Sequence, residues 1–260
     1  MPLLLAKYPD AVAIDVGANV GDTAAVLCRK QTLPVLCIEG HPRFIPYLRR
    51  NLTRLPAGIE VAECLVGACA ATVPAASFAA DHGTAMIDPG VGAAVDSAGV
   101  PVRLLAEILR AHPRFARAQL LKTDTDGSDF EILESSLDAL AGTRPVLFFE
   151  YDPTLRPDGL AAAREAVHAL TRAGYAAFLV YDNFGHYLRR VDARTPSACA
   201  QAFAELDRYL FSNLYFGRRI YYYDVCAFSA ADADLCDELE STHRLLVEAA
   251  LLEDGRKTQA

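Results

Sequence analysis

Two carboxylates near the start of the chain have the spacing of a nucleotide-binding site. Asp15 lies two residues before Gly17, at the head of the segment Asp-Val-Gly-Ala-Asn-Val-Gly, and Glu39 lies 22 positions after Gly17. A carboxylate at the end of the second strand of an α/β unit can accept hydrogen bonds from both ribose hydroxyls. A glycine-rich turn ahead of a helix lets a ligand approach the backbone and offers it N–H groups. These features indicate a cofactor that contains adenosine. The residues predicted to bind it are Asp15, Gly17, Asn19, Gly21 and Glu39.

The glycine spacing and the charge of this turn bear on which adenosine cofactor is bound. The dinucleotide fingerprint is GxGxxG, whereas this turn has Gly17, Asn19 and Gly21, so that the third glycine is misplaced. Asp15 would repel a pyrophosphate at close range, but it would attract the ammonium and sulfonium groups of S-adenosylmethionine. The turn therefore favours S-adenosylmethionine over NAD. A purely structural strand–helix turn with a capping aspartate stays open as the alternative.

Four carboxylates crowd the segment after a later apolar stretch: Asp124, Asp126, Asp129 and Glu131. Ligands of open α/β sheets bind beyond the carboxyl ends of the strands, so this segment should face the cofactor. In one interpretation, Asp126 and Asp129 satisfy N–H groups at the start of the next helix. In a second, Asp124 contacts the cofactor at the reaction site and orients or deprotonates a substrate hydroxyl. A divalent metal is the least favoured interpretation, because Gly127 comes too early for an EF-hand loop, and no metal is predicted.

Other candidates for substrate chemistry lie at a strand end and in a loop. Glu150, Tyr151 and Asp152 end an apolar strand and are predicted to face the substrate, with a solvated strand end as the alternative. His82 lies in a loop rich in alanine and glycine, where a histidine could act as a mobile general base near neutral pH. A solvated loop histidine is the alternative there. The predicted catalytic residues are therefore Asp124 and His82.

The elements that must position these residues alternate between short apolar strands and helices. Continuously apolar stretches predict seven strands, at 12–16, 35–38, 59–66, 120–124, 145–150, 176–181 and 220–228. Helical stretches separate most of them, including one over 129–140, and a terminal helix is predicted over 232–252. The alternation predicts a single α/β domain over residues 1–260 with a mainly parallel sheet. It is interrupted at about 74–100 and at 182–219, where insertions are predicted, the second holding a hairpin and a helix.

In combination, these motifs resemble those of the FkbM-type S-adenosylmethionine-dependent methyltransferases. Four segments carry the likeness, namely 13–22, 38–42, 121–129 and 222–228. The third is similar to the LKxDxEGxE segment of that family, which usually has glutamate where this chain has Asp126 and Asp129. Each of these two carboxylates therefore reaches one methylene less far. The likeness extends from about residue 11 to residue 230.

The resemblance implies a fold and an activity. The fold is a Rossmann-like sheet of seven strands, mostly parallel, with an antiparallel last strand and helices on both faces. The resemblance also implies that Glu39 binds the ribose of S-adenosylmethionine and that His41, in the same segment, is a further cofactor-binding residue. The implied reaction is methylation of a hydroxyl on a sugar, polysaccharide or secondary metabolite. Two other functions stay open: a non-catalytic module that binds S-adenosylmethionine, and an NAD-dependent oxidoreductase, which Asp15 and the glycine spacing disfavour.

The composition argues against several other classes of protein. The 260 residues are 52% hydrophobic and 22% charged, as in a globular domain rather than a disordered chain. A net charge of −8 argues against a nucleic-acid partner, and no apolar run reaches the roughly 18–20 residues of a membrane-spanning helix. The first residues lack the pattern of a signal peptide, and the seven cysteines, without CxxC pairs, are expected to be reduced thiols. We therefore expect a cytoplasmic protein, and the resemblance implies a small-molecule or glycan acceptor.

Overall fold

The computed structural model describes most of the chain. The described residues are 1–29, 32–56, 58–74, 78–81, 84–87, 99–217 and 219–257. Most of the stretch at about 74–100 lies outside them, and so does the predicted base His82. The prediction for His82 therefore stays a prediction.

Thirteen strands lie in the described part of the chain. They are β1 Ala13–Val16, β2 Val35–Ile38, β3 Ile59–Ala62, β4 Leu65–Val66, β5 Ala71–Pro74, β6 Phe78–Asp81, β7 Thr84–Ile87, β8 Gly99–Arg103, β9 Leu120–Thr123, β10 Val146–Tyr151, β11 Tyr175–Asp182, β12 Tyr187–Asp192 and β13 Tyr223–Ser229. Eight of them form the main sheet, in the order β12-β11-β13-β10-β9-β1-β2-β3. The central strands β1 and β2 are buried at every position, which explains why both are continuously apolar except for Asp15.

The main sheet is mostly parallel. Strands β3, β2, β1, β9 and β10 pair in parallel, and β13 lies antiparallel between β10 and β11. This confirms the predicted fold class with its antiparallel last strand. The predicted count of seven strands is one too low, because β12 forms a hairpin with β11 inside the stretch 182–219 and extends the sheet edge.

One strand predicted as a single unit divides between two sheets. The prediction of 59–66 as one strand is wrong, because the backbone turns after β3, where the N–H of Cys64 donates to the carbonyl of Ala62 at 3.1 Å. After this turn, β4 pairs with β8 in a three-stranded sheet of order β4-β8-β5. A hairpin of β6 and β7 follows in the chain.

Helices cover both faces of the main sheet. They are α1 Pro2–Lys7, α2 Asp22–Cys28, α3 Ile45–Leu52, α4 Leu105–Ala111, α5 Asp129–Leu140, α6 Gly159–Arg172, α7 Pro196–Phe216 and α8 Ala233–Lys257. Helices α1, α2, α3 and α8 contribute buried residues to one apolar core, and α4 to α7 contribute to the other. Within the described residues, no helix combines the length and the apolar character needed to cross a membrane.

Candidate functional site

Two loops meet at the carboxyl edge of the sheet, one after β1 and one after β9. Gly17, in the first loop, has φ +74°, and a Cβ atom there would lie 2.0 Å from the carbonyl oxygen of Asp124 in the second. Gly21 has φ +88°, and a Cβ atom there would lie 3.0 Å from Leu48 on α3. Both positions therefore require glycine for conformation and packing, independently of any ligand.

Glu39 ties the first loop to the end of β2. This carboxylate is buried, and it accepts hydrogen bonds from the backbone N–H groups of Asn19 at 2.8 Å and His41 at 2.6 Å. Asn19 has φ +48°, a left-handed conformation that asparagine tolerates better than most residues. Burial raises the pKa of Glu39, while the N–H donors oppose that rise. Each carboxylate oxygen has two lone pairs, so each can accept a further hydrogen bond from a ligand.

His41 is held in one orientation beside Glu39. The ring is buried, packs against Phe44 with centroids 4.6 Å apart, and accepts a hydrogen bond at Nδ1 from the N–H of Arg43 at 3.1 Å. Burial and the Arg43 charge lower the pKa of His41, which favours the neutral ring. With Nδ1 acting as an acceptor, the neutral ring carries its proton on Nε2.

A cavity of about 540 Å³ opens next to Glu39, between the first loop and the segment that follows β9. This volume lies within the range of roughly 300–1,000 Å³ found for small-molecule sites. Its polar lining includes Asn19, Glu39, His41, Asp124, Asp126 and Ser128. Its apolar lining includes Val16, Ile38, Phe44, Leu65, Val66 and Ile132. The cavity thus combines an apolar wall with polar groups that can fix the orientation of a ligand.

Asp15 does not line this cavity. Its side chain is fully buried, and neither carboxylate oxygen has a hydrogen-bond partner among the described residues. The Nζ atom of Lys122 lies 3.7 Å from Oδ1. Burial raises the pKa of Asp15 to about 7, against the lowering effect of the Lys122 charge. The predicted direct contact of Asp15 with a cofactor stays untested, and the structure places this carboxylate against Lys122.

Lys122 links two of the predicted site residues, although the sequence did not single it out. Its Nζ atom lies 3.0 Å from Oδ2 of Asp124, in addition to the contact with Asp15. Asp15 and Lys122 are register partners on the neighbouring strands β1 and β9. The only signal in the sequence was the position of Lys122 two residues before Asp124, in the segment that resembles the family motif.

Asp124, Glu150 and Asp224 form a row of carboxyl groups beside Lys122. Glu150 and Asp224 are direct register partners on the antiparallel strands β10 and β13. Burial and a hydrogen bond with Asp124 raise the pKa of Glu150, which favours Glu150 as the donor of that hydrogen bond. Burial and the Asp124 charge raise the pKa of Asp224 to about 6, against the Lys122 charge. Glu150 does not line the cavity itself, but it adjoins Asp124, which does. Asp224 was not predicted.

Asp129 begins α5 but does not cap it in the predicted way. Its buried carboxylate accepts hydrogen bonds from the Thr123 hydroxyl at 2.7 Å and from the backbone N–H of Thr125 at 3.2 Å. It therefore stabilises the loop ahead of the helix.

The other carboxylates of this segment have different surroundings. Asp126 lines the cavity and has φ +51°. Glu131 lies 3.7 Å from Arg156 in an ion pair. Among the described residues, no group of three His, Cys, Asp or Glu side chains is arranged to hold a metal ion.

The structure separates Tyr151 and Asp152 from the cavity. Tyr151 is fully buried in a core, and its hydroxyl donates to Asp207 on α7 at 2.8 Å. Asp152 accepts hydrogen bonds from the N–H and the hydroxyl of Thr154, at 2.8 and 2.6 Å. These contacts give both residues structural roles. Of the three residues predicted to face the substrate, Glu150 adjoins the cavity through its hydrogen bond with Asp124.

Comparison with known proteins gives one family match. The methyltransferase FkbM domain matches residues 15–177. No curated protein sequence matches the chain.

The chain is also similar to solved structures of methyltransferases. The chain is 20% identical to the methyltransferase FkbM from Methylobacillus flagellatus KT, with a TM-score of 0.46, and the match covers 65% of this chain but 39% of that one. It is 14% identical to the O-methyltransferase TomG from Streptomyces achromogenes, whose structure contains SAM, with coverages of 87% and 77% and a TM-score of 0.45. For precorrin-6y C5,15-methyltransferase from Geobacter metallireducens GS-15, the identity is 12%, the coverages are 88% and 86%, and the TM-score is 0.40.

Proposed function

The chain belongs to the FkbM methyltransferase family, and on this premise we propose that it transfers a methyl group from S-adenosylmethionine to a hydroxyl of an acceptor. One observation carries the assignment of the cofactor. Glu39, a buried carboxylate at the end of β2, lines the cavity and is held by two backbone N–H groups. A carboxylate fixed in this way can accept both hydroxyls of a ribose through its remaining lone pairs.

The rest of the cavity suits the adenosine part of the cofactor. Ile38, Leu65, Val66 and Ile132 supply apolar surface that can pack on the faces of an adenine ring. Ribose at Glu39, with the base on this wall, directs the amino-acid end towards Gly17 and Asp124. Asp124 and Asp126 line this part of the cavity and make it electronegative. A negative region suits the ammonium and sulfonium groups of the cofactor.

The cofactor supplies an activated methyl group on its sulfonium sulfur. The protein must hold the acceptor oxygen in line with that methyl group and exclude water. As the new C–O bond forms and the S–C bond breaks, the hydroxyl proton must leave the acceptor oxygen. We assign Asp124 to take up this proton, because its carboxylate lines the cavity and is held by a hydrogen bond with Glu150. Lys122 is surrounded by carboxylates that raise its pKa, so it stays protonated and is not the base.

The acceptor is proposed to be a sugar, a polysaccharide or a secondary metabolite. Glu150 donates its one O–H hydrogen bond to Asp124 and so orients that carboxylate, and the half-buried Asp224 can accept a hydrogen bond from a hydroxyl of the acceptor. Carboxyl groups in a row would repel a phosphate, which favours an uncharged polyhydroxylated acceptor. We further propose that residues 1–260 act as one domain, in which the stretches at about 74–100 and 182–219 contribute to acceptor choice.

Calorimetric titration tests the cofactor assignment. S-adenosylmethionine, S-adenosylhomocysteine and NAD should be titrated into the wild-type protein and into Glu39→Gln. We expect both S-adenosyl compounds to bind the wild type and NAD not to bind. Loss of the charged acceptor of two ribose hydroxyls should weaken binding to Glu39→Gln by about 10- to 100-fold, since hydrogen bonds to charged groups contribute about 1.5–3 kcal/mol.

Two matched measurements complete this test. Glu60→Gln is the control, because Glu60 is a carboxylate on β3 whose partner is His112, at 2.6 Å, and it lies outside the cavity. Tight NAD binding, or equal S-adenosylhomocysteine binding by the wild type and Glu39→Gln, would contradict the proposal. Transfer of a labelled methyl group to a panel of glycans and polyols then separates an enzyme from a non-catalytic binding module.

A further inference from the structure

Tyr222 lies directly before the last strand, next to the row of carboxyl groups. Its side chain is half-buried, and β13 begins at the next residue, Tyr223. Tyr223 is fully buried in a core, where its hydroxyl donates to the carbonyl of Leu206 at 3.0 Å. Side chains alternate along a strand, which predicts that Tyr222 lies on the opposite side from Tyr223, together with Asp224.

The charges around the Tyr222 hydroxyl agree with this position. Asp224, Glu150, Asp124 and Asp126 all act on it, and the last two line the cavity. Burial and these carboxyl groups raise the pKa of Tyr222 to about 12, so the hydroxyl keeps its proton at neutral pH. Within the described part of the chain, no group forms a hydrogen bond with it. Tyr222 therefore presents an O–H donor beside the cavity.

An acceptor has to approach the methyl group from outside the cavity. The attacking oxygen lies in line with the bond that breaks and opposite the sulfur, so the acceptor lies beyond the cofactor. Asp124 reaches this outer side, because it lines the cavity and yet 47% of its side chain is exposed. Tyr222 and Asp224 are partly exposed as well, whereas Glu150 is buried. A ligand that contacts Asp124 from solvent can therefore also reach Tyr222 and Asp224.

We propose that the Tyr222 hydroxyl donates a hydrogen bond to the acceptor oxygen that becomes methylated, and so aligns this oxygen for attack. This inference rests on the proposed function. The acceptor hydroxyl directs its hydrogen at Asp124, and one of its two lone pairs accepts the hydrogen bond from Tyr222. The other lone pair forms the C–O bond while the S–C bond breaks and leaves its electrons on sulfur. The proton passes to Asp124, and Tyr222 keeps its own.

Asp124 remains the base in this arrangement, and Tyr222 is a donor only. Burial and the repulsion of the neighbouring carboxylates disfavour a phenolate at this position. A structural role for the hydroxyl is disfavoured because no hydrogen bond within the described residues depends on it. The hydroxyl therefore serves a ligand rather than the fold.

Small polyhydroxylated probes test the inference. Glycerol, myo-inositol and methyl α-D-glucopyranoside should be incubated with S-adenosylmethionine that carries a labelled methyl group. The proteins compared are the wild type, Tyr222→Phe and Tyr221→Phe. We expect the wild type to methylate at least one probe, and Tyr222→Phe to lower kcat/KM for it by about 2- to 10-fold, as loss of one hydrogen bond between uncharged groups predicts.

Two binding measurements distinguish this role from a general disturbance of the site. In the complex with S-adenosylhomocysteine, saturation-transfer NMR should show weaker binding of the probe to Tyr222→Phe than to the wild type. Calorimetry should show the same Kd for S-adenosylhomocysteine in both proteins, since the hydroxyl faces the acceptor. A lower affinity for S-adenosylhomocysteine that alone accounts for the lower kcat/KM would overturn the inference.

Tyr221→Phe is the matched control. Tyr221 precedes Tyr222 in the chain, is 43% exposed, and is held by its backbone N–H, which donates to the side-chain oxygen of Asn183 at 3.1 Å. Loss of its hydroxyl should change neither kcat/KM nor the affinity for the probe. Equal kcat/KM for the wild type and Tyr222→Phe, or an equal loss in the two variants, would refute the role of Tyr222.

The proposed function and this inference fail in different ways. If the wild type does not bind S-adenosylhomocysteine, the cofactor assignment is wrong and the inference falls with it. If the wild type binds S-adenosylhomocysteine but methylates none of the probes, the cofactor assignment stands and the inference is overturned. Circular dichroism establishes that each variant is folded. If Tyr222→Phe is not folded, Tyr222→Met, which also lacks the hydroxyl, gives the same comparison.

Discussion

Substitution of Gly17 by alanine tests the contact between the two loops on which the site is built. Gly17 has φ +74°, and a Cβ atom would lie 2.0 Å from the Asp124 carbonyl oxygen and 3.2 Å from Thr125 Cγ2. A left-handed conformation costs a non-glycine residue about 1–2 kcal/mol. Overpacking adds about 1–3 kcal/mol, and here the obstructing atom is backbone, which cannot rotate away. We therefore expect Gly17→Ala to lower the free energy of unfolding by about 2–5 kcal/mol.

Two other glycines separate the two contributions. Gly185 has φ +81° but nothing within 4 Å of a Cβ atom, so Gly185→Ala should show only the conformational cost of about 1–2 kcal/mol. Gly142 also has open space around a Cβ atom, and its φ lies outside the left-handed range. Gly142→Ala should change the stability by about 0.5 kcal/mol or less.

Urea unfolding, followed by circular dichroism and extrapolated to water, gives the free energy of each variant. The order expected is Gly17→Ala least stable, then Gly185→Ala, then Gly142→Ala near the wild type. If Gly17→Ala is no less stable than Gly185→Ala, the Asp124 carbonyl does not lie against Gly17. The reasoning that places the two loops together at the cavity would then be refuted.

Two further predictions concern buried polar groups. Tyr151→Phe leaves the buried carboxylate of Asp207 without its hydroxyl donor. Urea unfolding should therefore show a free energy of unfolding that is lower by about 1–3 kcal/mol. The Kd for S-adenosylhomocysteine should not change. Asp15→Asn should flatten the pH dependence of stability. Because the pKa of Asp15 is about 7 when folded and about 3.9 when unfolded, the folded state holds the proton more tightly, and its stability falls as the pH rises from about 4 to about 7. Over that range the wild type should lose stability relative to Asp15→Asn, by on the order of 1.4 kcal/mol per pH unit, and parallel curves for the two proteins would contradict this.

Local sequence signals were sufficient for most of the secondary structure. The helix predicted over 129–140 coincides with α5, and the predicted strand over 145–150 lies within one residue of β10 at each end. These elements have strong local patterns, in apolar periodicity and in their flanking turn residues. The prediction of a single strand over 59–66 was wrong, because tertiary pairing decides where that strand ends. Only two residues separate β3 from β4, but β4 pairs with β8, which begins at Gly99.

Some residues of the candidate site could likewise be found from local sequence signals, and others could not. Glu39 could be found from the sequence, because its position at the end of a strand and its distance from Gly17 are local features. Lys122 and Asp224 could not be found from the sequence, because each is brought to the site by pairing with a strand that is distant in the chain. Lys122 is the register partner of Asp15, and Asp224 is the register partner of Glu150. Tyr151 shows the converse, since it adjoins a site residue in sequence but points into a core.

The sequence by itself determined the α/β class, the order of the elements and the strand ends at which carboxylates gather, since these follow from periodicity and turn residues along the chain. Only the tertiary structure decided which of these carboxylates reach the cavity. Asp15 is buried against Lys122 and Asp124 lines the cavity, although both follow apolar stretches and look alike in sequence. The physical reason is that burial and charge pairing depend on strand register and on the close approach of two loops, which residues far apart in the chain establish together.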